Sequence, residues 1–256
     1  MLDNINRRKE ILNLIFKLGS VKVTALAKQY RVNEVTIRRD LKYLAENHKI
    51  NLAYGGAFIE EGKTCYSIAE IHLANKRIQH FEEKQVIARK AAKLIQDGET
   101  IALNAGSTVE YILDYLEHIT CLNVITLSVH VAVKAANIPN VSVYMPGGKM
   151  RNSSGVFYGA EMENFLSKFN VDKCFVGVAA VHLKKGVMHP VLEEIENNRI
   201  LLNIAEKKYI VSDSSKLDCV SLASMAELEE FDGFIVDDKF PGVYKEFAKL
   251  NHIDII

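Results

Sequence analysis

Two stretches of the chain combine residue types that could do chemistry. The first is residues 32–41, VNEVTIRRDL. Asn33 stands where a helix is capped, and Ile37, Leu41 and Leu44 recur at i, i+4 and i+7, which turns Val35, Thr36, Arg38, Arg39 and Lys42 away from the apolar seam. A guanidinium fork reads guanine O6 and N7 bidentately or clamps phosphate, while the methyls of Val35 and Thr36 suit a thymine methyl or a sugar edge. These are the tools of a helix that enters a major groove. Asp40 lies at the edge of the seam and is expected to pair with a neighbouring cation, and Glu10 and Glu46 are expected at the surface.

The second stretch is TIALNAGSTVEYILDYL, residues 100–116. An apolar strand runs into Asn104, Ala105, Gly106, Ser107 and Thr108, and then into a helix with Val109, Ile112, Leu113 and Leu116 on one face. Gly106 admits close backbone approach, and free N–H groups at a helix start, joined by two hydroxyls, make an anion site suited to phosphate. The same residues also fit a helix capped by Ser107 or Thr108 with no ligand. Gly147 and Gly148 follow another strand, with Arg151 three residues on, and Lys216 follows Asp213-Ser214-Ser215. These cations could converge at the carboxyl ends of sheet strands, where open α/β sheets bind ligands. Glu193, Glu194 and Glu196 open a predicted helix, where the macrodipole favours acids, and His189 sits in the loop before it. No Ser/His/Asp nucleophile arrangement and no Walker-type loop is present in the sequence.

The elements that must position these residues follow from periodicity. Residues 7–18 place Ile11, Leu14, Ile15 and Leu18 on one helical face, with Gly19 as its stop. A short β-like link at 20–23, a second helix over 25–30 capped by Thr24, and a tight turn at Arg31-Val32 lead into the first stretch. This is the helix-turn-helix order. The run KINLAYGGAF reads as two strand pieces bent at Gly55-Gly56, a β-wing from which Lys49, Asn51 and Tyr54 could touch the DNA backbone or minor groove. Residues 61–80 read as a linker, and a helix runs from Glu83 toward Asp97-Gly98. Beyond it, strands predicted at 100–104, 121–127, 141–145, 173–179, 208–213 and 233–237 alternate with helices at 107–117, 129–137, 160–168, 193–206 and 242–250. Such alternation predicts an α/β domain with a mainly parallel sheet.

Composition agrees with two modules. Residues 1–60 hold 11 Lys/Arg against 6 Asp/Glu, and residues 61–256 hold 21 against 26, so a head of about +5 precedes a region of about −5. The four cysteines stand far apart without metal-ligand spacing, which speaks against a zinc site or a disulfide framework, and Cys121 and Cys174 read as small core residues. No apolar run reaches transmembrane length and no signal-like segment opens the chain, so a cytoplasmic location is expected.

The segment from Arg8 to Ala57, with VNEVTIRRDL and the terminal YGGA, resembles the winged helix-turn-helix of the DeoR family of bacterial transcriptional regulators. That family usually has Ser at the cap and a basic residue before Gly-Gly-Ala, where this chain has Asn33 and Ala53-Tyr54. Residues 80–240 resemble the family's effector domain, related in fold to ribose-5-phosphate isomerase, through Gly106-Ser107-Thr108, Gly147-Gly148 with Arg151, Gly159, Asp172, Gly186, Glu194 and the segment 213–216. Asn104, Leu127 and Asn198 stand where the family usually carries Asp, Asn and Lys. The resemblance implies a winged helix-turn-helix over 1–60 and an α/β effector-binding and oligomerisation domain over 81–256. It further implies binding of double-stranded operator DNA and a phosphorylated sugar or related effector, with Glu194 placed to hold a sugar hydroxyl. A repressor of carbohydrate genes, acting as a homodimer or homotetramer without a cofactor or metal, is the leading expectation. A sugar-phosphate isomerase-like enzyme with a fused helical head is the alternative, disfavoured by the lost carboxylate at 104. A nucleic-acid-binding scaffold whose α/β half only assembles the oligomer is a third.

Overall fold

The six apolar runs that alternate with helices all form strands of one parallel sheet. The computed structural model describes residues 4–18, 20–47, 50–53, 55–58, 76–77 and 79–256, and these fall into two units, the second of which contains Phe81–Ile256.

In the first unit, α1 (Asn4–Leu18), α2 (Val23–Tyr30) and α3 (Glu34–Asn47) accompany three short strands, β1 (Ser20–Lys22), β2 (Asn51–Ala53) and β3 (Gly56–Phe58). The strands form an antiparallel sheet in the order β1-β3-β2. The helices are amphipathic at the predicted spacing, so Ile11, Ile15, Leu26, Ile37, Leu41 and Leu44 close one core with Val21 and Ala57 from the sheet and Ile50 just before β2. At Gly56 a Cβ would lie 2.1 Å from the carbonyl oxygen of Val21, so β3 passes β1 at a distance only glycine permits. The second helix begins earlier than expected: Lys22 is its N-cap, no side chain caps it, and Thr24 lies inside the helix. The predicted stop at Gly19 lies outside the described residues.

The second unit opens with α4 (Phe81–Ala92) and continues through β4 (Thr100–Leu103), α5 (Ser107–Ile112), β5 (Leu122–Thr126), α6 (Val129–Ala135) and β6 (Val141–Tyr144). A hairpin of β7 (Met150–Arg151) and β8 (Val156–Phe157) precedes α7 (Glu161–Leu166) and β9 (Val171–Gly177). Then come β10 (Ala180–His182), β11 (Gly186–His189), α8 (Leu192–Asn203), β12 (Ala205–Ser212), β13 (Ala223–Ala226), β14 (Gly233–Val236), α9 (Gly242–Leu250) and β15 (Asp254–Ile255). Seven strands form the parallel sheet in the order β15-β14-β12-β9-β4-β5-β6. Strand residues alternate between its two faces. Ile101, Leu103 and Phe175 pack with Ile87, Val109, Ile112 and Val131 on one side, and Ala102, Cys174 and Val176 pack with Met162, Leu202 and Tyr244 on the other. Strands buried on both faces explain the near-continuous apolar runs.

Two expectations change here. Cys174 is buried, but Cys121 is exposed, because it precedes β5 and its N–H is held by Asp97 at 2.7 Å in a loop. The helix after β4 is capped neither by Ser107 nor by Thr108: Gly106 is its N-cap, no side-chain cap forms, and both hydroxyl residues lie buried in the first turn.

Candidate functional site

The candidate DNA-facing element is α3. Its start is set by Asn33, whose Oδ1 accepts the Val35 N–H at 3.0 Å. Its seam residues Ile37, Leu41 and Leu44 are buried. Asp40, 1% exposed, accepts from Arg7 Nε and Arg8 Nε at 2.7 Å each, so an ion triad ties α3 to α1 and fixes which face of α3 turns outward. The Arg8 guanidinium also lies 4.1 Å from the Tyr43 ring centroid. Val35, Arg38, Arg39 and Lys42 are exposed and Thr36 is half-buried, so all five share the outer surface. Arg38 Nη2 meets Glu34 Oε2 at 3.2 Å with both side chains about half exposed, a pairing weak enough to give way to phosphate or a base edge. The Arg39 and Lys42 side chains have no ion pair among the described residues. Lys49 and Tyr54 lie outside the described residues. The outer face of α3 is therefore a cationic ridge with two apolar contacts, held by a buried acid beneath.

In the second unit the strand order reverses between β4 and β9, which makes the carboxyl ends of those strands the crevice where ligands bind in such sheets. Asn104 spans that crevice. Its Nδ2 donates to the Gly177 carbonyl at 2.9 Å and its Oδ1 accepts the Gly177 N–H at 2.8 Å, so the amide reproduces one rung of sheet pairing. A carboxylate could make only the second bond. Ala105 is half-buried against the core, and Gly106 is extended, with room for a Cβ 3.8 Å from Gly177 Cα. The helix that starts at Ser107 is six residues long and already has Glu110 in its first turn, so the negative charge its end favours is supplied within the chain. Farther along the edge, Asp213 accepts from the Ser215 N–H at 3.1 Å and Asp237 from the Ser214 N–H at 2.7 Å. Lys216 ends that turn, half-buried, without an ion-pair partner among the described residues. Asp172 is at the opposite edge, accepting the Thr100 N–H at 2.7 Å, and joins β9 to β4.

Of the ten effector residues expected from sequence, Arg151 and Glu194 meet. They line a cavity of about 200 Å³ with Val156, Tyr158 and Glu193. The β7–β8 hairpin forms one wall. The Phe157 N–H bonds the Leu127 carbonyl at 2.9 Å, which seats the hairpin at the carboxyl end of β5, and Asn197 Nδ2 donates to the Phe157 carbonyl at 2.8 Å, tying it to α8. Gly155, at φ +67, makes the hairpin turn against the His130 ring. Arg151 Nε donates to Ser153 Oγ at 2.8 Å, leaving its terminal nitrogens without an acid among the described residues. Glu194 is 9% exposed and lies 3.6 Å from His189 Nε2. The hydrogen bond that the Lys149 ammonium donates to the Tyr158 hydroxyl oxygen raises its pKa on the same hairpin. One cation and two carboxylates thus line the cavity. Gly147 and Gly148 are exposed in the loop that leads into the hairpin. Val156 and Tyr158 were not expected, and Glu193 was read only as an acid at a helix start; the glycines at 155 and 159 bracketing a Val-Phe-Tyr run are the sequence signal that could have marked this wall.

A winged helix-turn-helix followed by a parallel α/β unit with a polar edge cavity defines a DNA-binding regulator with a ligand-binding half. The chain belongs to the DeoR family: residues 7–62 match the DeoR-like helix-turn-helix domain and residues 79–238 the DeoR C-terminal sensor domain. It is 32% identical, over 98% of its length and 92% of the relative's, to an Escherichia coli O157:H7 protein named for transcriptional repression of the aga operon. It is 30% identical to the lactose phosphotransferase system repressor of Staphylococcus epidermidis, covering 93% of each chain. A solved structure similar over part of the chain is ribose 5-phosphate isomerase A from Methanocaldococcus jannaschii, 22% identical with a TM-score of 0.41, spanning 54% of this chain and 55% of that one. The relatives matched over nearly the whole length are regulators rather than enzymes, and no helix among the described residues is long and apolar enough to cross a membrane.

Proposed function

We propose that this chain represses genes of carbohydrate metabolism in the cytoplasm and that a phosphorylated sugar, bound in the cavity between the β7–β8 hairpin and α8, alters its hold on operator DNA. The observation that carries the reading is that Arg151 and Glu194, 43 residues apart, line one small cavity. Arg151 takes the phosphate, because its fork has open donors, and Glu194 accepts sugar hydroxyls. Lys216, Asn104 and the residues 105–108 shape the neighbouring edge. On α3, Arg38, Arg39, Lys42, Val35 and Thr36 read the operator, with Asn33 holding the helix start and Lys49 and Tyr54 as wing contacts. Copies of the chain act as a homodimer or homotetramer, since one recognition helix spans too few base pairs for useful specificity.

The test is a thermal-shift screen against sugar phosphates and their unphosphorylated parents, because a ligand that binds the folded state raises apparent stability by mass action. One phosphorylated sugar is expected to raise the melting temperature where its parent does not, and to change operator affinity. Arg151→Ala is expected to weaken that phosphosugar about tenfold or more while changing binding of the parent little. Equal weakening of both ligands removes the phosphate from Arg151.

A further inference from the structure

We propose that Arg31 is a phosphate clamp, its guanidinium engaging the sugar-phosphate backbone of duplex DNA beside the recognition helix. The inference rests on the reading of α3 as the DNA-facing element. Arg31 closes α2 in the left-handed conformation, φ 53 and ψ 45. The Arg31 N–H returns to the Ala27 carbonyl, and the Val32 N–H returns to the same oxygen at 3.1 Å. Glycine or asparagine takes this position at least cost, and an arginine Cβ there is crowded.

No side-chain contact among the described residues compensates for that crowding. The side chain is exposed and has no hydrogen bond or ion pair among the described residues. Glu34, the acid nearest in sequence, is engaged by Arg38 instead. The carboxyl end of α2, which favours a cation, already has Lys28 in its last turn. What the position offers is reach. Arg31 stands two residues before Asn33, the cap of α3, and in helix-turn-helix docking the amino-terminal end of the recognition helix is the part that contacts base edges. A long side chain on the turn that feeds this end meets the phosphate ridge flanking the groove, and a planar fork suits a phosphodiester. The contact is sequence-independent: it adds affinity without adding base preference.

The experiment uses the full chain and a duplex selected by it from a random pool, and compares Arg31→Gly, Arg31→Asn and Arg31→Lys by dissociation constant against salt and by melting temperature. Arg31→Gly is expected to melt at the same or a higher temperature, to bind roughly fivefold more weakly at low salt, and to lose about one from the salt slope for each head engaged. Arg31→Asn should lose the same slope, and Arg31→Lys should keep most of it. The ratio of selected to scrambled duplex affinity should stay constant. Unchanged affinity and slope in Arg31→Gly overturn the clamp, and so does a parallel fall in melting temperature and affinity, which marks a turn-stabilising role. An Arg38→Ala/Arg39→Ala chain tested on the same duplex separates the two readings: if it binds unchanged while Arg31→Gly loses slope, the operator-reading role of Arg38 and Arg39 fails and the phosphate contact of Arg31 stands.

Discussion

Asp40 holds two guanidiniums at a place that water hardly reaches. Its carboxylate is worth most as the partner that lets Arg7 be buried, since removing one member of such a set leaves uncompensated charge. Asp40→Ala is expected to destabilise the first unit by about 3–5 kcal/mol and to abolish operator binding, read as lost hydrogen-exchange protection across α1 and α3; unchanged protection would show the triad to be dispensable. Burial pushes the Tyr244 hydroxyl up to about 12, where it lies 3.0 Å from Asp218 Oδ1 and 3.2 Å from the Val181 carbonyl. A folded pKa above the ordinary 10 means that the unfolded chain ionises first. The stability this phenol contributes is full below pH 10 and falls away as pH rises toward 12, so in denaturant titrations stability should fall less steeply between pH 10 and 12 in Tyr244→Phe than in the parent chain. The thiols also differ: burial raises Cys174 to about 12, whereas Cys121 is exposed, so iodoacetamide at pH 8 should label Cys121 in the native chain and reach Cys174 only after unfolding.

At the scale of elements, α3 and the β7–β8 hairpin do the positioning. Replacing Arg38 and Arg39 by alanine should abolish specific duplex binding and leave ligand binding by the second unit intact, because neither side chain supports a core; retained operator affinity in a gel-shift titration would overturn the assignment of α3. The third helix was legible in the sequence because a cap, a 3.6-residue seam and an outward basic pair coincide in ten residues, and the strands of the parallel sheet were legible because burial on both faces writes them as apolar runs. The hairpin was not. Its strands are two residues each, too short for alternation to register, and the cavity they wall is assembled by contacts such as Asn197 to Phe157 that join positions 40 apart. At Ser107 the local pattern of small and hydroxyl residues, with Glu110 three positions on, is legible in the sequence, whereas the burial of both hydroxyls is a tertiary fact.

For the whole molecule, control requires that ligand and operator each bind one arrangement of the chain better than another. Their coupling is then reciprocal: the factor by which a phosphosugar changes operator affinity must equal the factor by which operator DNA changes phosphosugar affinity, measurable by calorimetry in both orders. A factor of one in both orders would mean that the two sites are not coupled. The parallel sheet carries a different consequence, for the order in which the molecule is made. Its central pairing joins Ile101 to Lys173, so β4 has no partner on that side until some seventy further residues leave the ribosome, whereas the core of the head closes within the first 57 residues. Stalled nascent chains should therefore show a protease-resistant head well before a resistant sheet, so that for an interval each new chain carries a folded head and no folded sensor.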